Sequence, residues 1–319
     1  MHEVLSYVLE LYEQSKILTI SVIIPVYNAA PFLRRAVASA LEQPETAEVI
    51  LIEDGSTDNS YALCQELVRE DDRVCCYIHP EHQNRGAGAS RNLGMRQAQH
   101  SLIAFLDADD FYLPGRFVQV VQVLSQNPAV DGVFEALGMH FYDNSKQSLM
   151  GNTLTTVRNL DLTRRSLFEH LIVGRAGYFS LDALVIRKRV LSQVGYFDES
   201  LWQTQDTDFI WRLALHANLQ PGSLEEPVAM RGVHAHNGIF NRVSVNFYKR
   251  KIYHKWFLEM LKADWSRAVN WGFTVKKLEG EALYYGPGEQ RTILRIVKLL
   301  LLPLLCIRYP RLLLKLGRP

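Results

Sequence analysis

Between residues 19 and 107, four short apolar runs alternate with segments of helical periodicity. The runs are TISVIIPVY (19–27), EVILIED (48–54), RVCCYIH (73–79) and SLIAFLD (101–107). Because these runs are close to continuously hydrophobic rather than alternating, each predicts a strand that is buried on both faces. Strands of this kind, separated by helices, are typical of α/β proteins, so we predict a central, mostly parallel sheet flanked by helices.

The rest of the chain is less regular but divides into segments. Pro31 predicts the first turn of the helix that follows the first strand, and residues 89–99 predict another helix. The predicted elements further on are a long strand at 131–143, a strand at 183–188, a helix at about 206–217 and a helix at 246–261. We therefore predict a first half over 19–128, a second half over 129–240 and a helical extension over 241–290.

The composition is that of a globular protein with a sizeable core, since 48% of the 319 residues are hydrophobic and 22% are charged. A formal net charge of +1 argues against nucleic acid as a partner. The four cysteines form no CxxC pair and have no metal-ligand spacing, so we expect free thiols in a reducing cytoplasm.

Both ends of the chain differ from its body. Residues 1–18 have apolar positions at helical spacing and no signal-peptide pattern, which predicts an N-terminal amphipathic helix. Residues 291–319 hold seven Lys/Arg and no Asp/Glu, which leaves 28 of the 35 Lys/Arg against all 34 Asp/Glu elsewhere. The basic and apolar faces of this segment predict a helical tail that lies on the cytoplasmic membrane surface. Packing of the tail against the body or a dimer partner is the alternative. The longest apolar run is 299–307, too short for a membrane span, so we expect a cytoplasmic protein peripheral to the inner face of the cell membrane.

Polar residues stand at the ends of three predicted strands. In an open α/β sheet the ligand binds beyond the carboxyl ends of the strands. The residues at these ends are Pro25, Tyr27 and Asn28 after the first strand, Glu53 and Asp54 after the second, and Asp107, Ala108, Asp109 and Asp110 after the fourth. Three carboxylates within four residues repel one another, and a hard divalent cation such as Mg²⁺ or Mn²⁺ would relieve that repulsion. A helix N-cap cluster is the alternative interpretation.

A glycine-containing loop follows the third predicted strand. Its sequence, NRGAGASRN (84–92), resembles a dinucleotide-binding fingerprint, but Arg91 stands where a third glycine is needed and the loop follows the wrong strand. Close backbone approach at Gly86 and the guanidinium groups of Arg85 and Arg91 suit an anionic phosphate ester. A flexible loop with solvated arginines is the alternative.

Taken together, these segments resemble the family 2 glycosyltransferases, which have the GT-A fold. The matching motifs are SVIIPVYN, LIEDGSTDNS, NRGAGASRNLGM, FLDADD and GYFDESLWQTQDTDFIWRL (195–213). The resemblance covers about 19–240, and the ordered set is specific although each piece is not. It implies a GT-A domain over 19–240, with a nucleotide-binding half and an acceptor-side half.

The resemblance also implies roles for individual residues. The expected nucleotide-sugar-binding residues are Pro25, Tyr27, Asn28, Glu53, Asp54, Arg85, Gly86, Arg91, Asp107 and Ala108. Asp107 and Asp109 form the DxD pair and would bind the metal, with His234 as a further ligand or a structural histidine. Asp206 aligns with the catalytic base, although Gln205 replaces the glutamate that usually precedes it. Asp208 is the nearest competitor.

The function implied is an inverting, metal-dependent transfer of a sugar from a nucleotide-diphospho-sugar, with a UDP-sugar favoured, to a glycan or lipid-linked acceptor. The alternatives are a non-catalytic nucleotide-sugar-binding module and a sugar-nucleotide pyrophosphorylase. The second would need a Gly-rich basic loop directly after the first strand, where this chain has Tyr27-Asn28-Ala29-Ala30. Trp202 and Tyr178 either line an acceptor site or pack beside the cleft.

Overall fold

The computed structural model describes residues 18–142, 154–157, 164–174, 177–234 and 242–262. Contacts divide the chain into two compact units, with the boundary between Phe240 and Asn241. The predicted N-terminal helix, apart from its last residue, and the predicted basic tail at 291–319 lie outside the described residues.

Two sheets organise the described part of the chain. The strands are β1 (Ile20–Val26), β2 (Thr46–Glu53), β3 (Val74–Ile78), β4 (Leu102–Phe105), β5 (Phe111–Tyr112), β6 (Gly132–Phe134), β7 (Ala136–Phe141), β8 (Leu184–Arg187), β9 (Leu219–Pro221) and β10 (Pro227–Val233). The larger sheet has the order β3-β2-β1-β4-β8-β6-β9, and β5-β10-β7 form the smaller one. The four predicted strands of the first half are parallel neighbours, while β8 runs antiparallel to both β4 and β6. The prediction of a mostly parallel central sheet is confirmed.

Helices flank the larger sheet on both faces. They are α1 (Ala30–Leu41), α2 (Ser60–Glu70), α3 (Gly86–Gln97), α4 (Val118–Gln126), α5 (Arg164–Val173), α6 (Leu191–Val194) and α7 (Gln205–His216), and α8 (Arg242–Lys262) belongs to the second unit. Side chains of β1 alternate between the two faces: Val22 and Ile24 join the core beneath α1, and Ile23 points at α3. A Cβ on Gly94 would lie 2.4 Å from Ile23, so the glycine allows α3 to approach the sheet closely. This two-sided burial explains why the strand sequences are hydrophobic at nearly every position.

The single long strand predicted at 131–143 is wrong, because two strands in different sheets occupy that segment. The chain leaves the larger sheet after β6 and enters the smaller one at β7. Between them lies Glu135, which is fully buried and forms an ion pair with the equally buried Arg116. The Glu135 N–H donates to Ala183 O, whereas the next N–H, that of Ala136, donates to Ser223 O. The backbone hydrogen-bond partner therefore changes at the buried Glu135, where β6 has ended and β7 begins.

Strand β10 returns the chain to the acidic segment that follows β4. It pairs with β5 in antiparallel and with β7 in parallel orientation. The Gly232 N–H donates to Asp110 Oδ1 at 2.8 Å, and a Cβ on Gly232 would lie 2.1 Å from the carbonyl oxygen of Asp109. Only glycine permits this approach, which places the end of β10 beside the DxD segment.

Among the described residues, no helix combines the length and the apolarity that crossing a bilayer requires.

Candidate active site

A cleft of about 680 Å³ opens at the carboxyl ends of β1, β2 and β4. Because these strands are parallel neighbours, the residues that follow them meet at one edge of the sheet. The lining includes Pro25, Tyr27, Asn28, Phe32, Asp54, Arg91, Asp107, Ala108, Asp109 and His234. The structure thus gathers nine of the predicted binding and metal residues around one cavity. Glu53, Arg85, Gly86 and Asp206 lie outside this lining.

Asp54 anchors the loop that begins α3. It is buried, and its two carboxylate oxygens accept hydrogen bonds from the N–H groups of Arg85 at 2.7 Å and Gly86 at 2.9 Å. Burial raises the pKa of Asp54, and these two bonds oppose that shift. The loop predicted to hold the phosphate ester is therefore fixed to the end of β2. The backbone of Gly86 has φ of +85°, the left-handed region that favours glycine.

Glu53 lies behind the cleft surface rather than in it. Its carboxylate is fully buried and accepts hydrogen bonds from the N–H groups of Gly55 and Ser56, and it also contacts the His82 ring. Burial alone would raise the pKa of Glu53, but the bonds from Ser56 and His82 lower it below its ordinary value. In this setting Glu53 shapes the turn after β2, and contact between Glu53 and a nucleotide stays a prediction.

Arg91 connects α3 to the DxD segment. Its side chain is buried, and Nη2 donates to Asp107 Oδ1. Burial acts to lower the pKa of Arg91, but the nearby carboxylates of Asp107 and Asp206 raise it above its ordinary value. Among the described residues, Nε and Nη1 have no hydrogen-bond partner. Arg91 thus brings to the cleft a fixed positive charge and two donor nitrogens that have no partner among the described residues.

The acidic segment after β4 lies beside a second buried carboxylate. One oxygen from each of Asp107, Asp110 and Asp182 lies within 4.8 Å of the others. Burial, followed by repulsion from neighbouring carboxylates, raises the pKa of both Asp110 and Asp182. The partly buried guanidinium of Arg231 opposes these shifts. The same carboxylates raise the pKa of Arg231, although burial acts to lower it. This cluster has the oxygen ligands that hard divalent cations prefer.

Asp109 and His234, both predicted metal ligands, are in direct contact. His234 Nε2 lies 2.9 Å from Asp109 Oδ2, and the imidazole stacks on the ring of Phe32 with a centroid separation of 4.6 Å. Burial and the neighbouring Asp107 raise the pKa of Asp109, which the contact with His234 opposes. The two residues are 125 positions apart in the chain and meet because β10 ends beside the DxD segment.

Asp206 lies in the first turn of α7. Its Oδ1 accepts a hydrogen bond from the Thr207 N–H at 2.7 Å, and its carboxylate is within electrostatic range of Arg91. Asp208, the competitor in the sequence, is fully buried and forms an ion pair with Arg212 at 2.9 Å. That ion pair gives Asp208 a structural role. Asp206 is therefore the acidic residue of the first turn of α7 that remains as the candidate base near the cleft.

Sequence reasoning missed Asp182 and the charge-balancing role of Arg231. Asp182 lies two residues before β8, and its Oδ1 accepts the backbone N–H of Asp107 at 2.8 Å. The one signal was an acidic residue close to a predicted apolar strand, and such a residue needs charge compensation only where it is buried. The antiparallel pairing of β8 with β4, which the pattern did not reveal, brings the start of β8 to the end of β4.

Residues 21–191 match the sequence profile of "Glycosyl transferase family 2". The chain belongs to this family. An uncharacterized glycosyltransferase of Nostoc sp. is 31% identical over 233 residues, which cover 70% of this chain and 68% of that protein. The family 2 assignment confirms the resemblance found in the sequence motifs.

Other family relatives match shorter regions. An uncharacterized glycosyltransferase of Haemophilus influenzae is 39% identical over 112 residues, covering 35% of this chain and 44% of that protein. The succinoglycan biosynthesis protein ExoU of Rhizobium meliloti is 42% identical over 102 residues, covering 32% of this chain and 29% of that protein. The chain therefore spans less than half the length of these two relatives.

Solved structures agree with the family 2 fold. The crystal structure of Staphylococcus aureus TarS in complex with UDP-GlcNAc superposes with a TM-score of 0.61 at 18% identity, covering 85% of this chain and 77% of that one. The agreement confirms the predicted GT-A fold.

Proposed function

We propose that this family 2 chain is an inverting, divalent-metal-dependent glycosyltransferase. It would move a sugar from a nucleotide-diphospho-sugar, with UDP-sugar favoured, to a hydroxyl of a glycan or lipid-linked acceptor. The observation that carries the proposal is the single cleft in which Tyr27 and Asp54 stand beside Arg91 and the DxD residues Asp107 and Asp109. That combination offers a ring for stacking, a fixed cation and a carboxylate cluster within one cavity. The UDP-GlcNAc held by TarS, which has the same fold, supports a nucleotide-sugar donor.

The carboxylate cluster fits a divalent metal. Asp109 and His234 supply an oxygen and a nitrogen in contact, and Asp107, Asp110 and Asp182 supply three clustered oxygens. Burial and the neighbouring Asp107 raise the pKa of Asp109, so a divalent cation beside this carboxylate would stabilise its ionised form. Mg²⁺ or Mn²⁺ bound there would offset the negative charge that develops on the departing nucleoside diphosphate.

The protein residues would share the chemistry as follows. Arg91 holds its guanidinium against Asp107 and directs charge toward the diphosphate. Asp206 accepts the proton of the acceptor hydroxyl while that oxygen forms its bond to the anomeric carbon. The bond from the anomeric carbon to the diphosphate breaks in the same displacement, so the products are the glycosylated acceptor and the nucleoside diphosphate. Gln205 leaves Asp206 without an acidic neighbour immediately before it.

A donor screen tests the proposal. Thermal unfolding of the purified chain with a panel of nucleotide-sugars and Mn²⁺ should show one donor that stabilises it, by roughly 2.7 kcal/mol at 100 times the dissociation constant. With that donor, Asp206→Asn should abolish nucleoside diphosphate release and keep donor binding, and Asp109→Asn should weaken the response to Mn²⁺. Asp72→Asn, which changes an exposed acid in the turn before β3, is the matched control and should behave as wild type.

Each proposed role has its own contrary result. Full transfer by Asp206→Asn would remove that residue as the base. Donor binding by the wild type with neither transfer nor hydrolysis would favour the non-catalytic binding module, and no stabilisation by any donor would contradict the function as a whole.

We also propose that the basic tail at 291–319 attaches the enzyme to an anionic membrane surface, as its seven Lys/Arg and its lack of Asp/Glu indicate. The 319-residue chain should cosediment with vesicles that contain phosphatidylglycerol at low salt and be released at high salt. A chain ending at residue 290 that cosediments equally would contradict this attachment.

A further inference from the structure

Trp202 is a large apolar side chain that stands half exposed beside the cleft. Trp202 is 50% exposed as a residue, whereas the preceding Leu201 is buried. A tryptophan side chain normally buries most of its surface, because its large apolar area gives a large hydrophobic stabilisation when it is removed from water. An exposed indole in an otherwise anchored loop is therefore a position where a ligand can cover the ring.

Gly86 supports one face of the Trp202 ring. A Cβ on Gly86 would lie 3.3 Å from Cε3 and 3.4 Å from both Cδ2 and Cζ3 of the indole. Three consecutive ring atoms at nearly equal distances mean that Gly86 lies over the flat face of the ring rather than at its edge. Because Trp202 nevertheless remains 50% exposed, a ligand can reach the part of the ring that Gly86 does not cover.

The loop that carries Trp202 is held firmly to α3. Asn92 donates from Nδ2 to the Phe197 carbonyl at 3.0 Å and accepts the Phe197 N–H at 2.8 Å. The same Nδ2 donates to Glu199 at 2.9 Å. With Gly86 under the indole, the segment contacts α3 at two separate places, so the ring is preorganised rather than free to swing.

The ring lies on the side of the cleft where the proposed base stands. Gly86 donates to Asp54, which lines the cleft, and Gln205 packs against Gly88, two residues further along α3. Asp206 follows Gln205 directly and lies within electrostatic range of Arg91. The indole of Trp202 is thus next to the first turn of α7, four residues before the carboxylate that would take the acceptor proton.

Two exposed aromatic side chains flank this region in different places. Tyr27 is 49% exposed and lines the donor cleft, whereas Trp202 is outside the lining of that cleft. A nucleotide base in the cleft would therefore meet Tyr27. A second ligand whose hydroxyl must reach Asp206 would approach across Trp202.

We propose that Trp202 is a stacking platform for a pyranose ring of the acceptor, so that the acceptor is a carbohydrate recognised through its apolar C–H face. This inference rests on the proposed function and names the acceptor class of the same site. Pyranose rings present C–H groups on one face and hydroxyls at their edges, which matches a half-exposed indole with a carboxylate close by.

Saturation-transfer NMR with neutral oligosaccharides tests the platform. The full chain, with Mn²⁺ and UDP, is mixed in turn with cellopentaose, maltopentaose, laminaripentaose and chitopentaose. At least one of these should receive saturation from the wild type. Trp202→Ala should weaken its binding about tenfold or more, as truncating an aromatic anchor does elsewhere, while the dissociation constant for UDP stays unchanged. Trp202→Phe should restore most of the binding.

Tyr196→Ala is the matched control. Tyr196 is 40% exposed and packs against Arg96, ten residues along α3 from Gly86, which is about 15 Å at 1.5 Å per residue. Its removal should leave oligosaccharide binding as in the wild type. Circular dichroism and thermal unfolding establish that all three variants fold.

The outcomes separate the two proposals. Intact UDP binding with no oligosaccharide contact, or with equal contact in Trp202→Ala and wild type, overturns the platform alone. A loss of UDP affinity in Trp202→Ala also overturns it, because the ring would then serve the donor. Failure of the wild type to bind UDP or any other nucleoside diphosphate would overturn the proposed function and the platform together.

Discussion

Replacing Arg91 by lysine should separate catalysis from stability. Arg91 is buried, and its Nη2 donates to Asp107, while Nε and Nη1 have no partner among the described residues. Lysine keeps the positive charge and one donor for Asp107 but loses the planar fork. The substitution therefore removes Nε and Nη1, the two nitrogens that we expect to donate to the diphosphate, and keeps the positive charge.

The magnitude follows from those two groups. A hydrogen bond to a charged partner contributes about 1.5–3 kcal/mol, so two bonds formed with the departing diphosphate contribute about 3–6 kcal/mol. In Arg91→Lys this predicts a fall in kcat/KM of roughly 10² to 10⁴. A buried donor without a partner costs about 1–3 kcal/mol in the free protein, so removing two of them should leave the free energy of unfolding equal to or above that of the wild type.

The assay measures both quantities on the same preparations. Nucleoside diphosphate release gives kcat/KM, and urea unfolding without donor gives stability. Arg96→Lys, an exposed position in the last turn of the same helix, is the control and should match the wild type in both. Wild-type kcat/KM in Arg91→Lys, or a loss of stability that parallels the loss of rate, would refute the reasoning, because Arg91 would then act only as a structural ion-pair partner.

Three further outcomes are expected from the buried charges and thiols. Glu135→Ala should lower the free energy of unfolding by about 3–5 kcal/mol in urea titrations, because it leaves the buried Arg116 without its carboxylate partner. The control Glu70→Ala breaks the exposed ion pair with Arg34 and should stay close to wild type. Equal losses of stability in the two variants would contradict the stabilising role of the buried pair. In a Cys306→Ser background, iodoacetamide at pH 8 should modify Cys76 first, because its hydrogen bond with Cys64 lowers the pKa of the Cys76 thiol while burial raises the pKa of Cys75 to about 11. Mass spectrometry after short labelling checks the order, and earlier modification of Cys75 would contradict it. Gly232→Ala should reduce the soluble yield or the thermal stability, since its Cβ would meet the Asp109 carbonyl, whereas Gly115→Ala, with φ of +76° but only Val118 nearby, should cost less.

Local sequence patterns were sufficient to predict the first half of the fold. Near-continuous hydrophobic runs separated by helical periodicity predict parallel strands covered on both faces, and the parallel order brings Tyr27, Asp54 and Asp107 to one edge without further information. The cleft residues near the strand ends could be predicted from the sequence for that reason. Helix α7 was also predicted, to within one residue at each end.

Contacts between distant segments decided the remainder. The break at Glu135 depends on Arg116, which lies 19 residues earlier, so the periodicity of 131–143 alone suggested one strand. Asp182 joins the acidic cluster because β8 runs antiparallel to β4, and His234 reaches Asp109 across 125 residues because a glycine lets β10 pass the DxD segment. Hydrophobic periodicity reports which face of an element is buried, and it carries no information about which polar side chains meet beyond the element's own length. The sequence by itself therefore determined the parallel strands of the first half and the edge at which the cleft opens, and the tertiary structure decided which charges share that edge.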